Sequence, residues 1–127
     1  MEEENLTQKK LENLLSNQIK SLYHKELKHE LKEINYELLN DKLIIIMEGT
    51  LTRPELVLNE TNRKELAEKV RNFFDKMLQP QIKDFVEQIL NVTVCDFLSD
   101  TNMETARTGA IAIFELQSIA STSDTIS

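Results

Sequence analysis

A single cysteine, Cys95, stands among 127 residues, so the chain cannot form an intramolecular disulfide. It also cannot build a multi-cysteine zinc or iron–sulfur site. Cys95 lies in an apolar stretch and reads as a small buried hydrophobe. Glycine is nearly as scarce: with only Gly49 and Gly109, no glycine-rich loop can cradle a phosphate. No apolar run approaches the roughly 18 residues that a membrane-spanning helix needs. The start, Met-Glu-Glu-Glu-Asn, is acidic where a secretory signal is basic and then apolar, so a cytoplasmic location is expected. The sequons at Asn5, Asn59 and Asn91 then carry no meaning. Positive charge is short as well. Fifteen Lys and Arg against 22 Asp and Glu leave a net charge of −7. That argues against a nucleic-acid partner, which needs a basic footprint to displace counterions, and against adhesion to anionic lipid. Arg53, Arg63, Lys64, Lys69 and Arg71 alternate with Glu55, Glu60, Glu65 and Glu68, the pattern of a solvated helix face.

What is present is a repeated order of amphipathic helix and hydrophobic hairpin. The length suits one domain with a real core. Residues 1–6 read as a disordered N-terminus, 7–116 as a single α+β domain, and 117–127 as a disordered tail rich in Ser and Thr. Thr7 is placed to cap a first helix. Leu11, Leu14, Leu15, Ile19, Leu22 and Tyr23 form its apolar face at three- and four-residue spacing. The period then changes to two. Ile34, Tyr36 and Leu38 alternate with Glu33, Asn35 and Glu37, as in a strand with one wet face. Asn40-Asp41 suits a tight turn. The next strand, Lys42 to Glu48, is apolar on both faces and should lie centrally in a sheet.

Thr52-Arg53-Pro54-Glu55 has the makings of a capping box opening a short helical turn. A long helix follows from near Thr61, with an apolar stripe that runs in register past Pro80 to Leu90. Straight, it would be about 45 Å long, against a radius of gyration of about 14 Å for a globule of this size. Either it kinks at Pro80 or it projects and packs on a partner. Since proline removes a backbone donor and clashes with the carbonyl four residues earlier, a helix kinked at Pro80, near Lys76, is expected. Val92 to Leu98 and Ala110 to Leu116 read as two more strands, with Ser99-Asp100-Thr101-Asn102 as the turn-rich link. The expected fold is α+β with αββαββ order. Two long helices would pack on an antiparallel four-stranded sheet or on two hairpins.

No catalytic, cofactor-binding or metal-binding constellation stands out. His24 and His29 are five residues apart, about 140° around a helix, and cannot share a metal. Asp96 is the one ionisable residue within the third strand pattern, either on a wet face or aimed into a small pocket. Polar residues gather in two places. Glu48, Thr50, Thr52, Arg53 and Glu55 follow the second strand; Ser99, Asp100, Thr105 and Arg107 lie between the third and fourth. They serve either as caps and turns or as a docking surface, since loops on a rigid scaffold often carry such surfaces.

These loops carry a resemblance. Glu48-Gly49-Thr50-Leu51-Thr52-Arg53-Pro54-Glu55, the helix segment Leu78-Gln79-Pro80, and Leu98-Ser99-Asp100 with Glu104-Thr105 resemble the MpsC-like family of small bacterial proteins. The likeness spans residues 10–116. One departure is His24-Lys25-Glu26-Leu27-Lys28-His29-Glu30, where family members often carry a Gly- and Pro-containing turn. The resemblance implies an accessory role beside a cation-translocating membrane system, in neighbourhoods tied to uptake of inorganic carbon. The leading expectation is therefore a non-enzymatic cytoplasmic interaction module without a cofactor. It would act as a homodimer and meet a membrane transport or bioenergetic complex without inserting into the membrane. The alternative is a sensor of a small ligand or bicarbonate-like anion, with Arg53 and Arg107 as contacts.

Overall fold

The computed structural model describes residues 2–116. Helix α1 (Glu2–Leu27) leads into strands β1 (Glu33–Leu39) and β2 (Lys42–Glu48). Helices α2 (Arg53–Glu60) and α3 (Lys64–Leu90) follow, then strands β3 (Val92–Asn102) and β4 (Arg107–Leu116). The class is α+β, with a four-stranded antiparallel sheet in the order β1-β2-β4-β3. The short helix α2 makes the element order αββααββ. The expected tail, 117–127, lies outside the described residues.

α1 starts at Glu2, so Thr7 lies within it and does not cap it. The helix stops at Leu27, and Lys28 takes a left-handed φ of 52°. Leu15, Ile19, Leu22 and Tyr23 are buried as their spacing predicts, but Leu14 is 48% exposed. It sits one residue, hence about 100°, from the buried stripe.

Asn40 and Asp41 form the expected two-residue turn, with Asn40 at φ 41°. β2 is central, between β1 and β4. Its Leu43, Ile45 and Met47 point into the core, whereas Ile44 and Ile46 lie half-buried on the opposite face. The helices cover only the first face. There Ile82 and Val86 of α3 and Ile19 of α1 close over Ile45, Ala110, Ala112 and Val94. α3 is one uninterrupted helix through Pro80. Its later part supplies the core residues Leu78, Ile82 and Val86, while Leu66 and Phe73 near its start stay exposed.

Two expectations about β3 are corrected. Ser99–Asn102 is not a turn: β3 continues through Asn102, and Met103–Ala106 makes the reversal, with Ala106 at φ 59°. The Asn102 side chain organises that turn by accepting the backbone N–H groups of Glu104 and Thr105 at 2.9 and 3.1 Å. Cys95 is exposed rather than buried. The β3–β4 register shifts between Val94 and Asp96, so Cys95 is the extra residue of a bulge, which breaks the alternation that would have turned it inward. Asp96 is exposed as well.

Candidate functional site: a loop junction closed by a buried arginine

The two polar loops, distant in sequence, meet at one end of the molecule. The Thr50 N–H donates to the Ala106 carbonyl at 2.9 Å. The Thr50 hydroxyl lies 2.8 Å from that of Thr108, which in turn lies 2.6 Å from that of Thr101. Asn59 of α2 donates from Nδ2 to the Met103 carbonyl at 3.1 Å. Glu48 and Arg107 stand opposite each other on β2 and β4 and form an ion pair at 2.8 Å. That bond holds the Arg107 guanidinium above its ordinary pKa.

Behind this junction lies a second, buried set of charges. The Glu55 carboxylate, 0% exposed, accepts from the Thr52 N–H at 3.0 Å and the Thr52 hydroxyl at 2.9 Å. Thr52 precedes α2 and Glu55 occupies the third helical position, so the sequence motif delivers the glutamate half of a capping box. Arg71 of α3, 2% exposed, grips the same carboxylate through Nε at 2.7 Å and Nη2 at 2.6 Å. Nη2 also donates to the Thr50 carbonyl at 2.8 Å, and Nη1 to Asp75 at 3.1 Å. The guanidinium lies 5.7 Å from the Phe74 ring centroid, within cation–π range.

Burial acts to lower the Arg71 pKa, but the bonds and charge of Glu55 outweigh it and hold the group above its ordinary value. Burial raises the Asp75 carboxyl, with Arg71 pulling the other way. Burial likewise pushes the Tyr23 phenol up to about 12, again against Arg71. Among the described residues no buried side-chain nitrogen or oxygen lacks a hydrogen-bond partner. Each guanidinium nitrogen of Arg71 thus has a partner inside the protein, and what the cluster does chemically is hold α2, α3 and the Thr50 loop in one geometry.

The candidate residues therefore divide. Thr50, Thr52 and Glu55 are buried, and Glu48 is half-buried against Arg107. Ser99 faces the helices and accepts a hydrogen bond from Gln79 of α3. Arg53, Asp100, Thr105 and Arg107 remain exposed. Sequence reasoning missed Arg71, which it placed on a solvated face, and with it Asp75 and Thr108. One signal was available: Arg71 stands four residues after Ala67 and seven before Leu78, within the buried stripe of α3. Among the described residues, no group of three His, Cys, Asp or Glu could together hold a metal ion.

The family model for the Na+-translocating membrane potential-generating system (MpsC) matches residues 7–116. The chain belongs to the MpsC family. The match takes in the whole sheet, both polar loops and the buried arginine cluster. The MpsC description sets this fold in the context of a membrane system, and among the described residues no helix is long and apolar enough to cross a membrane. No curated protein and no solved structure matches the chain.

Proposed function

We propose that this MpsC-family protein is a non-enzymatic accessory or regulatory module. It works on the cytoplasmic side of a membrane ion-transport complex, in a setting of inorganic-carbon uptake, and it acts as a homodimer. The family supports the membrane context. The observation that carries the interaction reading is on α3. Phe73 is 67% exposed and Leu66 47% exposed, seven residues apart and so on one side of the helix. Burying apolar surface contributes roughly 25 cal/mol per Å², so this stripe favours a second copy packed along the helix. The anion-sensor alternative is weakened by the Glu48–Arg107 pair, since a bicarbonate-like anion would have to compete with Glu48 for the same guanidinium.

Light scattering at micromolar concentration tests the assembly. A mass about twice 14.7 kDa is expected, falling to the monomer value in the double variant Leu66→Ser, Phe73→Ser. A monomer mass for the unaltered chain overturns the homodimer. Co-purification with the subunits of the membrane complex tests the accessory role. Arg53→Ala in the same assay, beside a thermal melt, asks whether the exposed corner of the junction takes part.

A further inference from the structure

The face of the sheet turned away from the helices is uncovered, and its composition points to an occupant. Cross-strand register puts Ile44, Ile111 and Leu98 in one row across β2, β4 and β3. Ile46 and Ile113 flank that row on the same face. Leu98 is 59% exposed and Ile111 38%. Beside them Gly109 has no side chain to fill its place, and a shallow groove opens there between Ile46, Asp100 and Arg107. A contiguous exposed apolar patch with a polar rim marks an interaction surface.

The rim is acidic on both sides. Glu33 and Glu37 lie along the β1 edge; Asp96, Asp100 and Glu115 lie along the β4–β3 side. Among the described residues none of these five has an ion-pair partner, whereas the two cations of this face are engaged: Lys42 with Asp41 and Arg107 with Glu48. A second copy laid on this face would set carboxylates against carboxylates, which disfavours self-association here. The complementary shape is an apolar stripe flanked by Lys and Arg.

We propose that the outer sheet face docks a basic amphipathic segment of a membrane-protein partner. Its apolar side chains would sit over Ile44, Ile111 and Leu98, and its Lys and Arg would meet the acidic rims. Loops and helix ends on the cytoplasmic side of membrane proteins carry an excess of Lys and Arg, and helix-in-surface docking with spaced apolar anchors is a common recognition mode. This inference rests on the accessory-module reading and names the surface and the partner chemistry that the reading leaves open.

The test uses the full chain and two synthetic amphipathic peptides with identical leucine spacing, one flanked by lysines and one by glutamates. The lysine peptide should shift backbone amide NMR signals of β2, β4 and β3, and the glutamate peptide should not. Affinity should fall about tenfold when salt rises from about 0.05 M to about 0.3 M, because exposed charges are screened. Exposed-site variants keep the fold: Asp96→Lys with Asp100→Lys should weaken binding by at least about tenfold, Leu98→Ser should also weaken it, and Gln18→Ser, on an exposed position of α1, should leave it unchanged. Equal binding of both peptides, or shifts confined to α3, overturns the proposal. So does concentration-dependent hydrogen-exchange protection of this face in the peptide-free chain, which would mean that a second copy covers it. Failure of the lysine peptide while the chain still co-purifies with the membrane complex overturns this surface and leaves the accessory role standing.

Discussion

The molecule carries two glutamate–arginine pairs of nearly the same length and opposite character. Glu55–Arg71 closes at 2.6 Å with side chains 0% and 3% exposed, while Glu48–Arg107 closes at 2.8 Å with side chains 26% and 53% exposed. Coulomb attraction at equal distance is far stronger away from water, but so is the cost of stripping water from each ion. For the buried pair the balance depends on completeness. Arg71 meets Glu55 twice, Thr50 once and Asp75 once. The exposed pair makes one such bond and stays hydrated. Distance alone does not rank ion pairs; what surrounds them does.

The largest effect that can break this comparison is Arg71→Ala. It strands the Glu55 carboxylate in the interior and should cost about 3–5 kcal/mol, read by urea denaturation. The double change Arg71→Met, Glu55→Leu should cost less than the single one, because no charge is left unpaired. A double change worse than the single would mean that the pair itself, not the stranded charge, carries the stability.

Next is alkaline pH. Tyr23 has its pKa raised from 10.0 to about 12. The unfolded chain therefore ionises first. The stability linked to Tyr23 is intact below pH 10 and is lost as pH rises through about 12. The full difference is worth on the order of 3 kcal/mol. Tyr36, also raised to about 12 by burial, acts in the same direction. Stability should thus fall across this window, and Tyr23→Phe should flatten part of the fall. An identical pH profile for Tyr23→Phe would separate the phenol from the arginine cluster.

Thr52→Ala should cost about 1 kcal/mol, the usual net worth of one hydrogen bond. It removes one of the bonds to Glu55 but keeps the backbone N–H and both Arg71 contacts. The smallest effect is expected from Arg107→Ala, which should leave the melting temperature nearly unchanged at ordinary salt. Molar salt should weaken Glu48–Arg107 and spare Glu55–Arg71, since screening acts on exposed charges. A clear melting shift for Arg107→Ala would show that the exposed pair pins the two loops together.

The strand patterns and the Asn40-Asp41 turn were legible because they are local. Alternation at Ile34 and Tyr36 and the doubly apolar run of β2 report a sheet directly. The role of Glu55 was half legible, since Thr52 and Glu55 lie within one turn. Arg71 was not. An arginine bordered by Lys69 and Asp75 looks the same on a wet face as on a buried one, and α2 and the Thr50 loop, packed against α3, supply the Glu55 carboxylate and the Thr50 carbonyl that bury it. Cys95 misled because a bulge resets which residue faces inward. Ser99 to Asn102 misled because turn-forming residues were held extended by β4 across from them.

By itself the sequence determined the main periods: where the long helices and the cores of the four strands lie, and which side of most of them is apolar. Those properties follow from side-chain spacing along one element. Tertiary structure decided which charges lose water. It joined Thr50 to Thr108, 58 residues apart, and Arg71 to Glu55, 16 apart. It also left one face of the sheet bare while filling the other. Spacing along a single element marks its apolar stripe, but whether a charged group on it finds partners away from water is a property of where elements meet.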